Sequence, residues 1–324
     1  MVARQRAKRQ LHGLIPCYKP KGMVSKDVSR WFEERLGRIK LGHVGTLDPL
    51  AEGVLPILFG TATRLQDYLL DQAKTYEFEI TFGQATTTMD LDGEVVEQMP
   101  YEHITAQALT EVCDDLTGDF YQTPPLYSAV KYQGKPLYEY AREGRSEEVP
   151  LASLSRTVQL HQLELLDFDA PRASFRVTCS KGTYVRVLAT KISECVDSCG
   201  MVSGLIRSEA AGINLEQCWT IDQLESLGDD FGKAMIPVQR IQLDMPKWRV
   251  SDATLLSKLR MGQKMQVDMR FFEDGLAGQG SSRTTLRSLD RMLLVDPEGN
   301  SFGIGTASIQ NTGRIAVVMR RGLS

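Results

Sequence analysis

The hydrophobic pattern of residues 23–36 is that of a helix. Apolar residues recur there near the 3.6-residue helical period. Ser25 is placed to cap the first turn, and Gly37 is placed to end the last one. We therefore predict a helix whose apolar face is formed by Val24, Val28, Trp31 and Phe32.

Residues 76–82 alternate strictly between apolar and polar side chains. This period of two predicts a half-buried strand. Asp92-Gly93 is a turn signal, and Thr105 is placed to open another helix. The apolar face of that helix would carry Leu109, Val112, Cys113 and Leu116.

The apolar residues Val158, Leu160, Leu163 and Leu165 suggest another strand, and residues 173–179 alternate, so the two segments predict strands that can pair with each other. Residues 181–184 end the alternation, and apolar residues then resume at helical spacing from Val185 to Cys199. Tyr184 therefore lies where a strand gives way to a helix. Such junctions place side chains at the mouth of a cleft, although most junction residues only pack.

Strands and helices are interspersed without a steady βαβ alternation or an internal repeat, which favours an α+β fold. Residues 220–223 resemble a capping box that opens a short helix. The pattern changes near residue 243, beyond which a Gly- and Ser-rich stretch at 275–283 and short β-like runs at 292–295 and 315–319 follow. We predict a main domain at 14–243 and a small β-rich domain at 244–324 with a flexible internal loop.

The composition favours a soluble, cytoplasmic protein with reduced thiols. The chain has 324 residues, 42% of them hydrophobic, and its longest apolar run, residues 53–60, is too short to span a bilayer. Its six cysteines lack C-x-x-C spacing, which argues against a zinc site or a disulfide framework. We interpret Cys195 and Cys199, four apart on the predicted helix, as small buried side chains without a function.

The net charge of −3 hides an uneven distribution. Residues 1–48 hold eleven lysines and arginines against four acids, a net charge of +7, which leaves −10 for the rest of the chain. A basic N-terminal sector on an acidic body would suit contacts with nucleic-acid phosphates. For residues 1–10 alone, a disordered and solvated basic tail is an equally good interpretation, and the domain division leaves residues 1–13 as such a tail.

The stretch 42–53 presents one carboxylate, that of Asp48, among small and apolar neighbours. Pro49 disfavours the α conformation at Asp48 and so predicts an extended backbone there. The stretch lacks the spacing of a phosphate-binding loop. By its local sequence alone, an aspartate before proline is more often a turn residue than a catalytic one.

Seven blocks of the chain resemble, in the same order, those of the TruB-type pseudouridine synthases. The motif Gly-x-Leu-Asp-Pro-Leu-Ala together with Lys-Gly-Thr-Tyr-x-Arg makes the resemblance highly specific. It implies a mixed, largely antiparallel sheet flanked by helices, with the catalytic domain at 14–243. The blocks are residues 19–23, 42–53, 74–76, 90–93, 125–135, 180–186 and 204–207.

The resemblance implies conversion of uridine 55 in the T arm of tRNA to pseudouridine. Asp48 would be the catalytic aspartate, acting by attack or deprotonation at the sugar, and Arg186 would keep it ionised. The reaction breaks the C1′–N1 bond and forms a C1′–C5 bond, so no metal or other cofactor is expected. Further implied roles are stacking on the flipped base by Tyr76, contact with the base by Tyr184 and Leu205, and support of the flipped RNA by His43. We add Lys19, Lys21 and Arg64 as candidate phosphate contacts.

The C-terminal domain departs most from the family pattern. Residues 301–306 resemble the closing strands of a PUA-type RNA-binding domain, whereas residues 244–300 match it poorly. The length and pattern favour a stand-alone monomer without an obligatory protein partner. Two alternatives stay open: a guide-RNA-dependent synthase, and a tRNA-binding or folding factor without catalytic activity.

Overall fold

A computed structural model describes residues 11–37, 39–228, 230–277, 288–311 and 314–323. Its α-helices are α1 (Ser25–Leu36), α2 (Gln66–Asp71), α3 (Ala106–Leu116), α4 (Leu137–Arg142), α5 (Val185–Cys195), α6 (Ile221–Ser226), α7 (Ala253–Arg260) and α8 (Met269–Gly275). Its strands are β1 (Gly13–Lys19), β2 (Leu41–His43), β3 (Glu52–Phe59), β4 (Lys74–Phe82), β5 (Gln84–Thr86), β6 (Val95–Gln98), β7 (Gly118–Gln122), β8 (Lys131–Tyr132), β9 (Lys135–Pro136), β10 (Arg156–Asp169), β11 (Arg172–Cys179), β12 (Gly200–Ala210), β13 (Ile213–Asn214), β14 (Ile236–Pro237), β15 (Lys247–Arg249), β16 (Met265–Val267), β17 (Leu276–Ala277), β18 (Ser288–Val295), β19 (Ser301–Ile309) and β20 (Ile315–Gly322).

A large mixed sheet forms the main body of the molecule. Within the described ranges its strand order is β14-β1-β3-β12-β4-β11-β10-β7, with β2 added to β3 and β13 to β12. The β3–β12 pair is parallel and the other pairs in this sheet are antiparallel. The predicted α+β class with a largely antiparallel sheet is therefore confirmed.

Several predicted elements are confirmed with their local causes. Strand β4 alternates between buried and half-buried residues along its whole length. The Thr105 hydroxyl caps α3 by accepting from the Ala108 N–H. Residues 158–165 and 173–179 lie in the antiparallel pair β10–β11, and Thr220 and Gln223 form both bonds of a capping box at α6.

The prediction that Ser25 caps helix α1 is wrong. Val24 is the N-cap residue and makes no side-chain cap, while Ser25 is already helical and buried. The Ser25 hydroxyl has other partners in the Leu47 backbone, as described below. Gly37 ends the helix as predicted, with a positive φ of 73° and its N–H donating to the Glu33 carbonyl.

The helix after Tyr184 is shorter than the sequence pattern indicated. Helix α5 ends at Cys195, and Cys199 lies just before β12. Asp197 has a positive φ of 52°, which is incompatible with a continuing helix. Cys199 is buried as predicted, but Cys195 is exposed, so the prediction of two buried cysteines on one helix is wrong for Cys195.

Three central strands have no counterpart in the sequence prediction: β1, β3 and β12. Strands β1 and β3 are buried on both faces, so their apolar residues do not alternate. Strand β12 alternates in burial from Leu205 to Ser208, but its buried positions include Gly200 and Arg207, so it shows no apolar alternation either. The apolar run 53–60 noted in the sequence is mostly β3. Gly53 has a φ of 102°, and a Cβ atom there would lie 2.4 Å from the Arg207 carbonyl oxygen, so glycine permits the close approach of β12.

The C-terminal part contains a second sheet, with the order β16-β20-β19-β18-β15-β17 within the described residues. The β-like runs 292–295 and 315–319 lie in β18 and β20, while helices α7 and α8 were not predicted. Residues 278–283 of the predicted loop lie outside the described residues, as do residues 1–10 of the predicted tail. One apolar cluster joins the two sheets, with Leu58 and Leu65 on one side and Leu293 and Ile304 on the other.

No helix in the described part of the chain is both long and apolar enough to cross a membrane.

Candidate active site

A cavity of about 660 Å³ opens beside the large sheet, within the usual size range of small-molecule sites. Its walls come from the loop between β2 and β3, the start of β4, residues 180–186 and the middle of β12. Five of the residues predicted to form the site line it: Asp48, Tyr76, Tyr184, Arg186 and Leu205. The fold thus brings together side chains that are up to 157 positions apart in the sequence.

The loop that carries Asp48 is fixed by hydrogen bonds from several elements. The buried Ser25 hydroxyl accepts from the Leu47 N–H at 2.8 Å and donates to the Leu47 carbonyl at 3.1 Å. The Gly22 N–H donates to the Pro49 carbonyl at 2.7 Å. Helix α1 and the segment before it therefore position the residue on each side of Asp48.

Arg207 of β12 holds the other end of this loop. Its side chain is fully buried. The guanidinium donates to the carbonyls of Val54 at 2.7 Å, Gly45 at 3.1 Å and Val44 at 3.3 Å. It also interacts with the Tyr76 hydroxyl. Arg207 thus joins the Asp48 loop to β3 and β4.

Arg186 forms an ion pair with Asp48, with 2.8 Å between Nη2 and Oδ2. The Arg186 side chain is 5% exposed and the Asp48 side chain 39% exposed. The two terminal nitrogens of Arg186 also donate to the carbonyls of Thr88 and Tyr127, each at 2.8 Å. Because these backbone bonds fix the guanidinium, the ion pair holds the carboxylate of Asp48 at the cavity wall.

Burial raises the pKa of the Asp48 carboxyl above its ordinary value. Arg186 lowers this pKa by its charge and its hydrogen bond, as the sequence prediction required, but burial is the larger cause. Asp90, which is buried and lies 3.8 Å from Arg186 Nη1, raises the Asp48 pKa further. A carboxylate with a raised pKa is a better base and nucleophile than an ordinary one.

Apolar and aromatic side chains surround the carboxylate. Tyr76 is 9% exposed and Leu205 is 8% exposed, so both are nearly enclosed but reach the cavity. Tyr184 is half-buried at the start of α5, and its N–H donates to the Gln122 side chain at 2.9 Å. The Arg156 guanidinium lies over the Tyr184 ring, 5.7 Å from its centre. The chamber can therefore hold a flat, weakly polar ring beside an anion.

His43 lies outside the cavity lining, on the far side of Thr46. Its Nε2 is 3.5 Å from the Thr46 hydroxyl, and its Nδ1 is 3.4 Å from the Ser29 hydroxyl. Burial, followed by the charge of Arg207, lowers the His43 pKa below 6.5, so the imidazole is neutral at neutral pH. His43 can donate or accept a hydrogen bond but cannot supply a charge there.

The three candidate phosphate contacts have different surroundings. Lys21 and Arg64 are exposed, as such contacts require. Lys19 is fully buried, and its ammonium group donates to the Pro20 and Met23 carbonyls at 3.0 and 2.5 Å. Burial lowers the pKa of Lys19 to about 8. Lys19 therefore braces the turn after β1 and is not a phosphate contact in this conformation.

Sequence reasoning missed Arg207 and Asp90 as residues of the site. Both lie inside blocks that resemble the family, so position in those blocks was the available signal. Their roles depend on partners distant in sequence, such as Val54 for Arg207 and Arg186 for Asp90. Periodicity alone could not identify these pairs.

The described part of the chain contains no group of three or more His, Cys, Asp or Glu side chains placed to hold a metal ion. The ionisable groups that line the cavity are instead mostly cations and tyrosines around Asp48. What this arrangement offers chemically is a fixed carboxylate, held by arginine, in a chamber of apolar and aromatic walls.

Comparison with known proteins gives the family. A model described as TruB family pseudouridylate synthase, N terminal domain, matches residues 33–185. A tRNA pseudouridine synthase B of Geobacillus kaustophilus is 45% identical over 267 residues, covering 79% of this chain and 92% of the relative. The enzyme of that name from Bacillus subtilis is 41% identical over 271 residues, covering 81% and 86%.

A solved structure of a Cbf5-Nop10-Gar1 complex supports the fold. The matched chain has a TM-score of 0.70 at 23% identity, and the match covers 97% of this chain and 85% of that one. At this identity the likeness concerns the fold alone, including the C-terminal sheet. With relatives above 40% identity along most of their length, the chain belongs to the TruB family of pseudouridylate synthases.

Proposed function

We propose that this protein converts uridine to pseudouridine at position 55 in the T arm of tRNA, with Asp48 as the catalytic carboxylate. The observation that carries the proposal is the Asp48–Arg186 ion pair at the wall of a cavity lined by Tyr76, Tyr184 and Leu205. The names of the relatives, tRNA pseudouridine synthase B, supply the substrate class.

The chemistry needs a carboxylate in a chamber that retains the detached base. Asp48 acts at the sugar, by attack on C1′ or by deprotonation, while the C1′–N1 bond breaks. The uracil turns within the chamber and the C1′–C5 bond forms, while the bond from Asp48 to C1′ breaks or the proton taken from the sugar is returned. C5 then loses its proton and N1 gains one, so the product is an isomer of the substrate and Asp48 is regenerated. A glycosidase instead uses two carboxylates and admits water. Here Tyr76 and Leu205 exclude water, so the uracil is recaptured.

Binding must offset the cost of taking the uridine out of the RNA stack, a few kcal/mol. Stacking on an aromatic ring recovers about 1–3 kcal/mol per base, and Tyr76, fixed by its interaction with Arg207, supplies it. Tyr184 and Leu205 contact the other parts of the base, and the neutral His43 supports the flipped RNA. Phosphate contacts, with Lys21 and Arg64 as candidates, must add the rest.

The enzyme acts as a monomer in the cytoplasm, without a guide RNA, an obligatory protein partner or a cofactor. We assign the catalytic domain to residues 14–243 and a PUA-like RNA-binding domain to residues 244–324. The support for two domains is the pair of separate sheets. The last strand of the large sheet is β14 (Ile236–Pro237), and the first strand of the second sheet is β15 (Lys247–Arg249).

The test is to incubate purified protein with an unmodified tRNA transcript and to map pseudouridine. Wild type is expected to modify position 55 without a guide, and Asp48→Asn to form no product while still binding tRNA. Asp115→Asn is the matched control, because it removes a carboxylate from the exposed face of α3, outside the cavity. Equal products from wild type and Asp48→Asn would refute the role of Asp48. If wild type binds tRNA tightly but forms no product, the tRNA-binding or folding factor is favoured. If wild type is active only when a guide RNA is added, the guide-dependent synthase is favoured.

A further inference from the structure

Two cations from different sheets converge on one carboxylate at the mouth of the cavity. Asp71, at the end of α2, lies 2.5 Å from the Lys181 ammonium through Oδ1 and 3.2 Å from the Arg291 guanidinium through Oδ2. Lys181 follows β11 of the large sheet, whereas Arg291 belongs to β18 of the C-terminal sheet. Asp71 and Lys181 also line the catalytic cavity.

Two more arginines extend this cluster along α2. Arg291 and Arg321 each place a guanidinium carbon 5.4 Å from the centre of the Tyr68 ring. Arg321 donates to the Arg64 carbonyl, and Arg64 donates to the Gly322 carbonyl at 3.2 Å. These cations sit on an otherwise acidic body, and Arg291 connects them to the cavity through Asp71, which lines it.

The cations of the ion pairs at this entrance are exposed, unlike Arg186 inside the cavity. The Lys181 side chain is 64% exposed, that of Arg291 59% and that of Asp71 39%. Exposed ion pairs contribute little to stability, so their partners can be exchanged at low cost. A phosphate accepts charge-assisted hydrogen bonds from lysine and arginine, as a carboxylate does.

We propose that Lys181 and Arg291 form a binding site for one backbone phosphate of the RNA, and that Asp71 occupies this site in the free protein. The proposal rests on the proposed function, since the RNA it concerns is the substrate whose uridine enters the cavity. A phosphate held between the two sheets fixes the RNA backbone beside the chamber, and the Asp71 carboxylate gives up both cations when the phosphate arrives.

The first test is the salt dependence of tRNA binding, measured for Lys181→Ala, Arg291→Ala and the double variant. Each loss of a phosphate contact lowers the slope of log K against log salt by about 1. If the two cations share one phosphate, the double variant lowers the slope by about 1 and each single variant by a part of that, because the other cation stays on the phosphate. A loss of about 2 in the double variant, or no loss in any, would overturn a shared site.

The matched control is Lys191→Ala on α5. Lys191 is also an exposed lysine paired with a carboxylate, that of Glu194 at 3.2 Å, but it does not line the cavity. This variant is expected to leave the slope unchanged. A decrease equal to that of Lys181→Ala would show a general effect of charge and would overturn the assignment to Lys181.

The second test separates a phosphate site from a brace between the two sheets. Asp71→Asn keeps the shape of the side chain but frees both cations, so tRNA binding at low salt should tighten by about two- to fivefold, the range expected from releasing exposed ion pairs. If the ion pairs only brace the sheets, Asp71→Asn weakens binding and lowers the melting temperature, and the proposal fails.

These outcomes are independent of the test of Asp48. Binding is measured without turnover. If the Lys181 and Arg291 variants lower the salt slope as expected but wild type forms no pseudouridine, the phosphate site is kept and the proposed reaction is rejected. Product formation with unchanged slopes would do the reverse. Absence of tRNA binding by wild type would overturn both.

Discussion

The inner wall of the cavity and its mouth both use cations, but in opposite ways. Arg186 and Arg207, at the inner wall, are buried and donate mostly to backbone carbonyls. Lys181 and Arg291, at the mouth, are more than half exposed and pair with a carboxylate. Backbone carbonyls cannot leave the buried arginines without unfolding a strand or loop, whereas the Asp71 carboxylate can move aside.

This difference separates the cations that position the Asp48 loop from those that bind the RNA. The buried arginines set the geometry of the Asp48 loop and keep it fixed before the substrate arrives, which is what preorganised catalysis requires. The exposed cations can exchange one anionic partner for another, which is what a binding site for a flexible polyanion requires. Substitutions at the inner wall should therefore cost stability and turnover, and substitutions at the mouth should mainly change affinity.

The largest effect is expected from Arg207→Met. The carbonyls of Val44, Gly45 and Val54 would lose their charged donor, and leaving a buried acceptor unsatisfied costs about 1–3 kcal/mol. We expect the free energy of unfolding to fall by about 3 kcal/mol or more, together with most of the turnover, as measured by denaturant titration and a pseudouridine assay. Arg320→Met, which removes an exposed arginine, should change stability by at most about 0.5 kcal/mol. Similar losses in both variants would contradict the special role of the inner wall.

A smaller effect is expected from Ser25→Ala. The hydroxyl of this buried serine serves both the N–H and the carbonyl of Leu47, so its removal leaves two buried backbone groups without that partner. We expect a loss of about 1–2 kcal/mol in the free energy of unfolding and a fall in kcat with little change in tRNA affinity. Ser226→Ala is the control, since that serine is an exposed residue of α6 whose hydroxyl donates to the backbone carbonyl of Asp222. A loss of affinity with unchanged kcat would mean that Ser25 does not position the Asp48 loop.

The sequence predicted the elements whose pattern is local. Strand β4 and helix α3 followed from the alternation after Tyr76 and the cap at Thr105. Strand β3 could not be predicted by alternation, because it is covered on both faces and lacks a polar one, and β12 could not because its buried positions include Gly200 and Arg207. Ser25 was misassigned for a similar reason: a serine that begins a helix looks like a cap, and its real partner, Leu47, is 22 positions away.

The site residues also divide into those that the sequence identified and those whose surroundings depend on distant parts of the chain. Family resemblance named Asp48, Tyr76 and Arg186, which the structure brings to one cavity. The charge count also pointed to Lys19 as a phosphate contact, but a count of charges carries no information on burial, and its ammonium group is enclosed by carbonyls. The pairing of Lys181 with Arg291 through Asp71 joins two sheets, so neither local pattern nor either domain alone predicts it.

Lys74 extends the contrast between inner wall and mouth to the dependence of stability on pH. It lines the cavity but is buried, its ammonium group donates to the carbonyls of Leu70 and Gln72 at 2.9 and 2.8 Å, and burial lowers its pKa from 10.5 to about 8. Between pH 8 and 10.5 the unfolded chain therefore binds more protons at this position than the folded protein, so the free energy of unfolding rises with pH. Relative to Lys74→Met, wild type should gain stability across this window, with a slope of at most about 1.4 kcal/mol per pH unit. Lys191→Met, which removes an exposed lysine, should run parallel to wild type when both are titrated with denaturant at each pH. If Lys74→Met also ran parallel to wild type, Lys74 would be solvated like the cations at the mouth, and the division between a desolvated inner wall and a solvated entrance would not hold.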